Sequence, residues 1–136
     1  MDAEAGKPVF VEELVNGNEH VGRTVRITGT LHSYSPATDR AALADGQYLA
    51  LVDTQLLGVV EYQLGQTYQI IGTVEATDGA QETAPADLFD DAHYSLATVL
   101  RARVARVVDG LDMAVYRKSV AALRGLLDSI EVSKRI

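Results

Sequence analysis

The chain has 136 residues, no cysteine, 47% apolar and 23% charged residues, and a formal net charge of -7. That composition suits one soluble domain with its own core, and it excludes disulfides, zinc–thiolate sites and cysteine nucleophiles. No apolar run reaches the ~18–20 residues of a membrane span, and the opening MDAEAGKP lacks the apolar stretch of a secretory signal.

Residues 1–8 read as a disordered start, and 9–131 as the folded domain. VFVEELVNG (9–17) has a short amphipathic pattern closed by Asn-Gly, which predicts a helical turn and stop. In GRTVRITGTLHSYSP, Val25, Ile27, Gly29 and Leu31 alternate with Arg26, Thr28, Thr30 and His32, the period of a half-buried strand. Pro36 then marks a turn. A weaker second strand, 38–44, runs into Asp45-Gly46, a pair that accepts the positive φ of a tight hairpin. QYLALVDTQLL is the third strand. GVVEYQLGQ (58–66) connects; it is too short and Gly-bounded for a good helix. TYQIIGTVEAT (67–77) is the fourth strand, and SLATVLRARVARVVDG (95–110) the fifth. The parity of the fifth slips near Ala105–Val107, where Arg106 would point inward, so a bulge is expected there.

Between the last two strands lies the acid. Residues 75–91 hold six carboxylates and no base, which leaves the rest of the chain nearly neutral. The segment 78–93 therefore reads as a mobile, solvated loop outside the strands, one that would repel phosphate groups and is removable at little cost. A concentrated basic surface, the mark of a strong solo nucleic-acid binder, is missing. Any such role would lean on a partner.

From Leu111 the period becomes helical, with Asp112 as a plausible N-cap of a helix over 112–131. Met113, Tyr116, Val120, Leu123, Leu127 and Ile130 form one apolar stripe; Val115, Ala122 and Leu126 form a second beside it. Core packing needs only about 100° of a helix. The surplus predicts a second buried face, hence a partner-binding helix made by Met113, Val115, Tyr116, Val120, Leu123, Leu126, Leu127 and Ile130.

A mainly β, five-stranded OB-fold barrel with a C-terminal α-helix accounts for this order of elements. The pieces VRITGTLHSYSPATDRAALADG (25–46), LVDTQLL (51–57), LGQTYQIIGTV (64–74) and LRARVARVVDGLDMAVYRKSVAALRGL (100–126) also carry a resemblance. Their most specific patterns are R-x-T-G-x-L-x-S-Y and V-D-G-L-D-x-x-x-Y. The chain resembles the Ten subunits of the Ctc–Stn–Ten (CST) telomere complex, particularly plant and algal forms. The acidic loop departs from that family's compact plan. The resemblance implies an OB fold that pairs with an Stn-type OB subunit and then joins a Ctc-type large subunit. It implies a nuclear protein at telomeres that reaches telomeric single-stranded DNA through its complex and supports DNA polymerase α–primase. The small subunit of replication protein A, similar in plan, is the runner-up; an enzyme accessory or ligand-binding barrel is the reading from another class.

Catalytic motifs are missing: no H-E-x-x-H, Walker loop or G-x-S-x-G occurs, and His20, His32 and His93 are scattered. Asp90, Asp91 and His93 could suggest a metal, but the charged loop reads better as solvated, so no metal and no cofactor are expected. Single-strand binding on an OB face needs aromatic and basic groups. The outward candidates are Arg26, His32 and Tyr34 on the first strand, Arg40 on the second, Tyr48 on the third, and Arg101 and Arg103 on the fifth.

Overall fold

Alternating side chains and two close backbone approaches shape the sheet. The computed structural model describes residues 6–80, 82–108 and 110–135, with side chains as far as residue 126 in the last helix. Among them are β1 (Lys7–Pro8), α1 (Val11–Val15), β2 (Thr24–Ser35), β3 (Arg40–Asp45), β4 (Tyr48–Asp53), a 3-10 turn (Gln55–Leu57), β5 (Thr67–Ala76), β6 (His93–Tyr94), β7 (Thr98–Val107) and α2 (Met113–Arg135). Pairing runs β2–β3–β4–β7–β5 and returns from β5 to β2, so the five long strands close on themselves. The β4–β7 pair is parallel and the other four barrel pairs are antiparallel. This is the OB barrel with its C-terminal helix.

The core follows from the period-two pattern. Val25, Ile27 and Leu31 of β2 point inward with Leu43, Val52, Ile70, Val74 and Leu100, all buried. At ~1.5–3 kcal/mol for each fully buried aliphatic side chain, these residues dominate the favourable side of folding. β2 serves two neighbours: Thr24–Thr30 pair with β5, and Thr30–Ser35 pair with β3. Gly29 stands where it changes partner. A Cβ there would lie 2.6 Å from the Ala44 carbonyl oxygen, so only glycine lets β3 come that near.

Several elements differ from expectation. The hairpin turn is Gly46–Gln47, with Asp45 and Tyr48 as the closing pair and Gly46 at φ 60°. The third strand ends at Asp53, whose Oδ1 accepts from the Gln55 N–H (2.9 Å) and starts the 3-10 turn. Lys7 and Pro8, read as part of a disordered start, pair parallel with Val25 and Arg26; residues 1–5 lie outside the described residues. They lead into α1, which brings Val11 and Leu14 into the barrel core. His93 and Tyr94 form a short strand parallel to β4. The bulge on β7 falls at Arg103, between the pairs Gly72–Ala102 and Ile71–Val104, and not at 105–107. It still does what parity required: Ala105 turns to the core and Arg106 turns out.

Candidate interaction surfaces

A second bulge decides the barrel face where OB proteins commonly hold ligands. On β2, Leu31 pairs with Leu43 but Ser33 pairs with Ala42, so His32 is the extra residue. Beyond it the parity flips. Tyr34, expected to face outward, lies opposite the core residue Ala41 and packs at the rim, its ring 4.6 Å from that of Tyr62. Tyr34 is therefore not an open stacking platform.

The acidic segment is the larger correction. Residues 82–93 do not stand off the barrel; they form a strap across β2, β3 and β4. Arg40 Nε donates to Glu82 Oε1 (2.7 Å) and its NH2 to Oε2 (3.1 Å). The Glu82 side chain is only 8% exposed. His32 Nε2 lies 3.1 Å and 3.0 Å from the carbonyl oxygens of Ala86 and Asp87. The Phe89 ring meets the His32 ring edge-on, and His93 stacks on Tyr48 at 5.3 Å. Beneath the strap a cleft of about 310 Å³ remains between Ala42, Leu51, Pro85 and Ala86. The sequence shows the acids but not their destination, because charge density alone says nothing about a specific arginine 42 residues away.

The expected cationic groups do not make one site. Register places Arg40, Asp53 and Arg101 side by side across β3, β4 and β7. Glu82 and Glu75 flank that row, with Asp53 3.4 Å from Arg40 and Glu75 3.5 Å from Arg101. Two arginines thus meet three carboxylates, and the row offers phosphate no net positive charge. Arg26 is half-buried opposite Pro8 and Ile71, and Arg103 contacts the Thr24 hydroxyl (3.5 Å). Thr24 is eight residues from His32 along β2, roughly 26 Å at an extended rise.

On α2 the N-cap is as expected: Asp112 Oδ1 accepts from the Ala114 and Val115 N–H groups (2.9 and 3.2 Å). The side toward the barrel is not the apolar stripe alone. Arg117 bonds Glu12 and Asp45 (2.6 Å to Asp45 Oδ2) and lies over the Phe10 ring, 4.2 Å from its centroid. Arg124 grips Glu13 with both nitrogens, at 2.5 and 3.0 Å. Between them Val120 is 6% exposed, and Met113 and Tyr116 are half-buried on the same side. The other face is open: Val115 is 58%, Leu123 45% and Leu126 59% exposed, with Ala122 among them. Leu127 and Ile130 have side chains outside the described residues.

Among the described residues, the carboxylate–histidine group that comes together is not Asp90, Asp91 and His93 but Glu13, Glu19 and His20. Glu13 already accepts from Arg124 and from the Phe10 N–H (2.9 Å). Burial by itself would raise its carboxyl, but the Arg124 hydrogen bond, the Phe10 N–H and the charges of Arg124 and His20 outweigh it and hold the pKa below its ordinary value. A lowered folded-state pKa contributes stability above the unfolded value of 4.5, which is lost as pH falls through the folded one. Melting temperature should fall on acidification below that value, and Glu13→Gln should flatten the fall while lowering stability at neutral pH. Superimposable pH–melting profiles of parent and variant would remove Glu13 from this role.

Residues 2–129 match the family model described as a telomere-capping CST complex subunit. The chain belongs to this family. It is similar to CST complex subunit TEN1 of Arabidopsis thaliana, 29% identical over 135 residues that cover 98% of this chain and 94% of that one. Its fold is similar to that of Saccharomyces pombe Ten1, with a TM-score of 0.63 at 19% identity over 89% of this chain and 99% of that one. It is also similar to a chain of the S. pombe Stn1–Ten1 complex, with a TM-score of 0.64 at 19% identity over 90% and 95% of the two chains. The match places this chain with the Ten subunits of the telomere-capping CST complex.

Proposed function

We propose that this subunit is a non-enzymatic assembly module that pairs with an Stn-type OB subunit through the open face of α2. The observation that carries the reading is the unpaired apolar surface of Val115, Ala122, Leu123 and Leu126 on a helix whose other side is already engaged. A surface of that kind is costly to leave in water and is the usual mark of a protein interface. The family match and the likeness to a chain of the S. pombe Stn1–Ten1 complex support it. The heterodimer then joins a Ctc-type large subunit at nuclear telomeres. There it serves the protection of telomeric single-stranded DNA and fill-in by DNA polymerase α–primase. With Arg40 and Arg101 neutralised, the isolated chain contributes little DNA affinity of its own. Co-expression with the Stn-type subunit of the same organism, followed by size-exclusion chromatography with light scattering, tests the pairing. A 1:1 heterodimer is expected; separate elution of the two chains refutes it.

A further inference from the structure

We propose that the strap 82–93 mimics a nucleic-acid strand, so that the β2–β3–β4 face is a single-strand site closed by the chain's own acid. Three kinds of contact hold the strap, and each is one that a single strand makes. The Glu82 carboxylate occupies two donors of the Arg40 fork, as a phosphate does. Backbone carbonyls occupy the His32 ring nitrogen. An aromatic ring, Phe89, meets the His32 ring edge-on with centroids 5.6 Å apart, where the ring of a base would meet it.

The docked strap also leaves room beneath it. The cleft of about 310 Å³ beneath the strap shows that it bridges the face and does not fill it. Asp87, Asp90 and Asp91 are exposed on the outside, so the closed form turns a negative surface toward an approaching strand. Release of the strap uncovers Arg40 and His32 together and removes that repulsion in one step.

The inference rests on the reading that this subunit works beside single-stranded DNA, but its test does not depend on the Stn-type partner. The parent chain, Glu82→Ala and Glu82→Ala with Arg40→Ala are titrated against a labelled single-stranded oligonucleotide of mixed sequence. Glu82→Ala should bind about tenfold tighter than the parent, with a salt slope steeper by about 0.7 for one more phosphate contacted. The double variant should lose that gain. Absence of a gain in a Glu82→Ala chain that melts cooperatively overturns the proposal. An equal gain toward polyglutamate, which has no bases to stack, overturns the nucleic-acid assignment. Should Glu82→Ala fail to fold, hydrogen exchange on the parent decides. Saturating oligonucleotide should speed exchange of the His93 amide, which donates to the Gln47 carbonyl at 2.8 Å, and an unchanged rate overturns the proposal. Co-purification of Glu82→Ala with the Stn-type subunit should be normal, so failure of the pairing and failure of the strap are read separately.

Discussion

Gly72→Ala is expected to lower the melting temperature by about 10 °C or more, through roughly 3 kcal/mol of lost stability. The cause is space and not backbone freedom. A Cβ on Gly72 would lie 2.2 Å from the Arg101 carbonyl oxygen, 2.8 Å from the Arg101 carbonyl carbon and 2.9 Å from the Ala102 Cα. All three atoms are main chain of β7, directly opposite the Arg103 bulge, and none can swing aside as a side-chain tip would. β5 and β7 must part at the position where they approach most closely, and the closed pairing of the barrel spreads the damage to β2 and β4. Gly125→Ala is the internal control. Nothing lies within 4 Å of its Cβ position, so alanine there should stabilise α2 by about 1 kcal/mol through helix propensity. Opposite shifts of the two variants by scanning calorimetry are the expected result; an unchanged Gly72→Ala melt would show that the close approach relaxes freely.

The second large effect concerns assembly. Leu126→Glu, and Leu123→Glu independently, should weaken pairing with the Stn-type subunit by at least about thirtyfold, since a buried unpaired carboxylate costs several kcal/mol. The free chain should hardly notice, because both side chains are about half exposed and surface changes of this kind stay within about 0.5 kcal/mol. Val120→Ala should behave the other way. It trims the one buried aliphatic among the described side chains of α2 and loosens the helix from the barrel, so its cost appears in the free chain first. Titration calorimetry for pairing, set beside thermal melts of the free chains, separates the cases. Wild-type affinity in both glutamate variants refutes the open face of α2 as the interface. A collapse of both free chains would mean that this face belongs to the core.

What the sequence by itself determined was local. Period-two alternation located β2, because a strand with one buried face must alternate. Gly46 marked the hairpin and Asp112 the start of α2, because each satisfies a backbone demand within three residues of itself. The surplus apolar width of α2 was visible for the same reason. Parity also required a bulge on β7, though the close approach of Gly72 to the Arg101 backbone lies opposite Arg103 and not at Ala105.

Only the tertiary structure decided which groups meet. Arg117 and Arg124 dock α2 because Glu12 and Glu13, more than a hundred residues earlier, are brought beside them, and no periodicity encodes such a pair. The bulge at His32 turns Tyr34 inward, since one inserted residue reverses every side chain that follows it. The acidic segment closes over β2 and β3 because Arg40 and His32 offer it partners there once the barrel is formed, and its end, His93–Tyr94, pairs with β4. Composition sees charge as solvated until a fold provides it with a partner, and here that partner exists only when β2, β3 and β4 lie side by side.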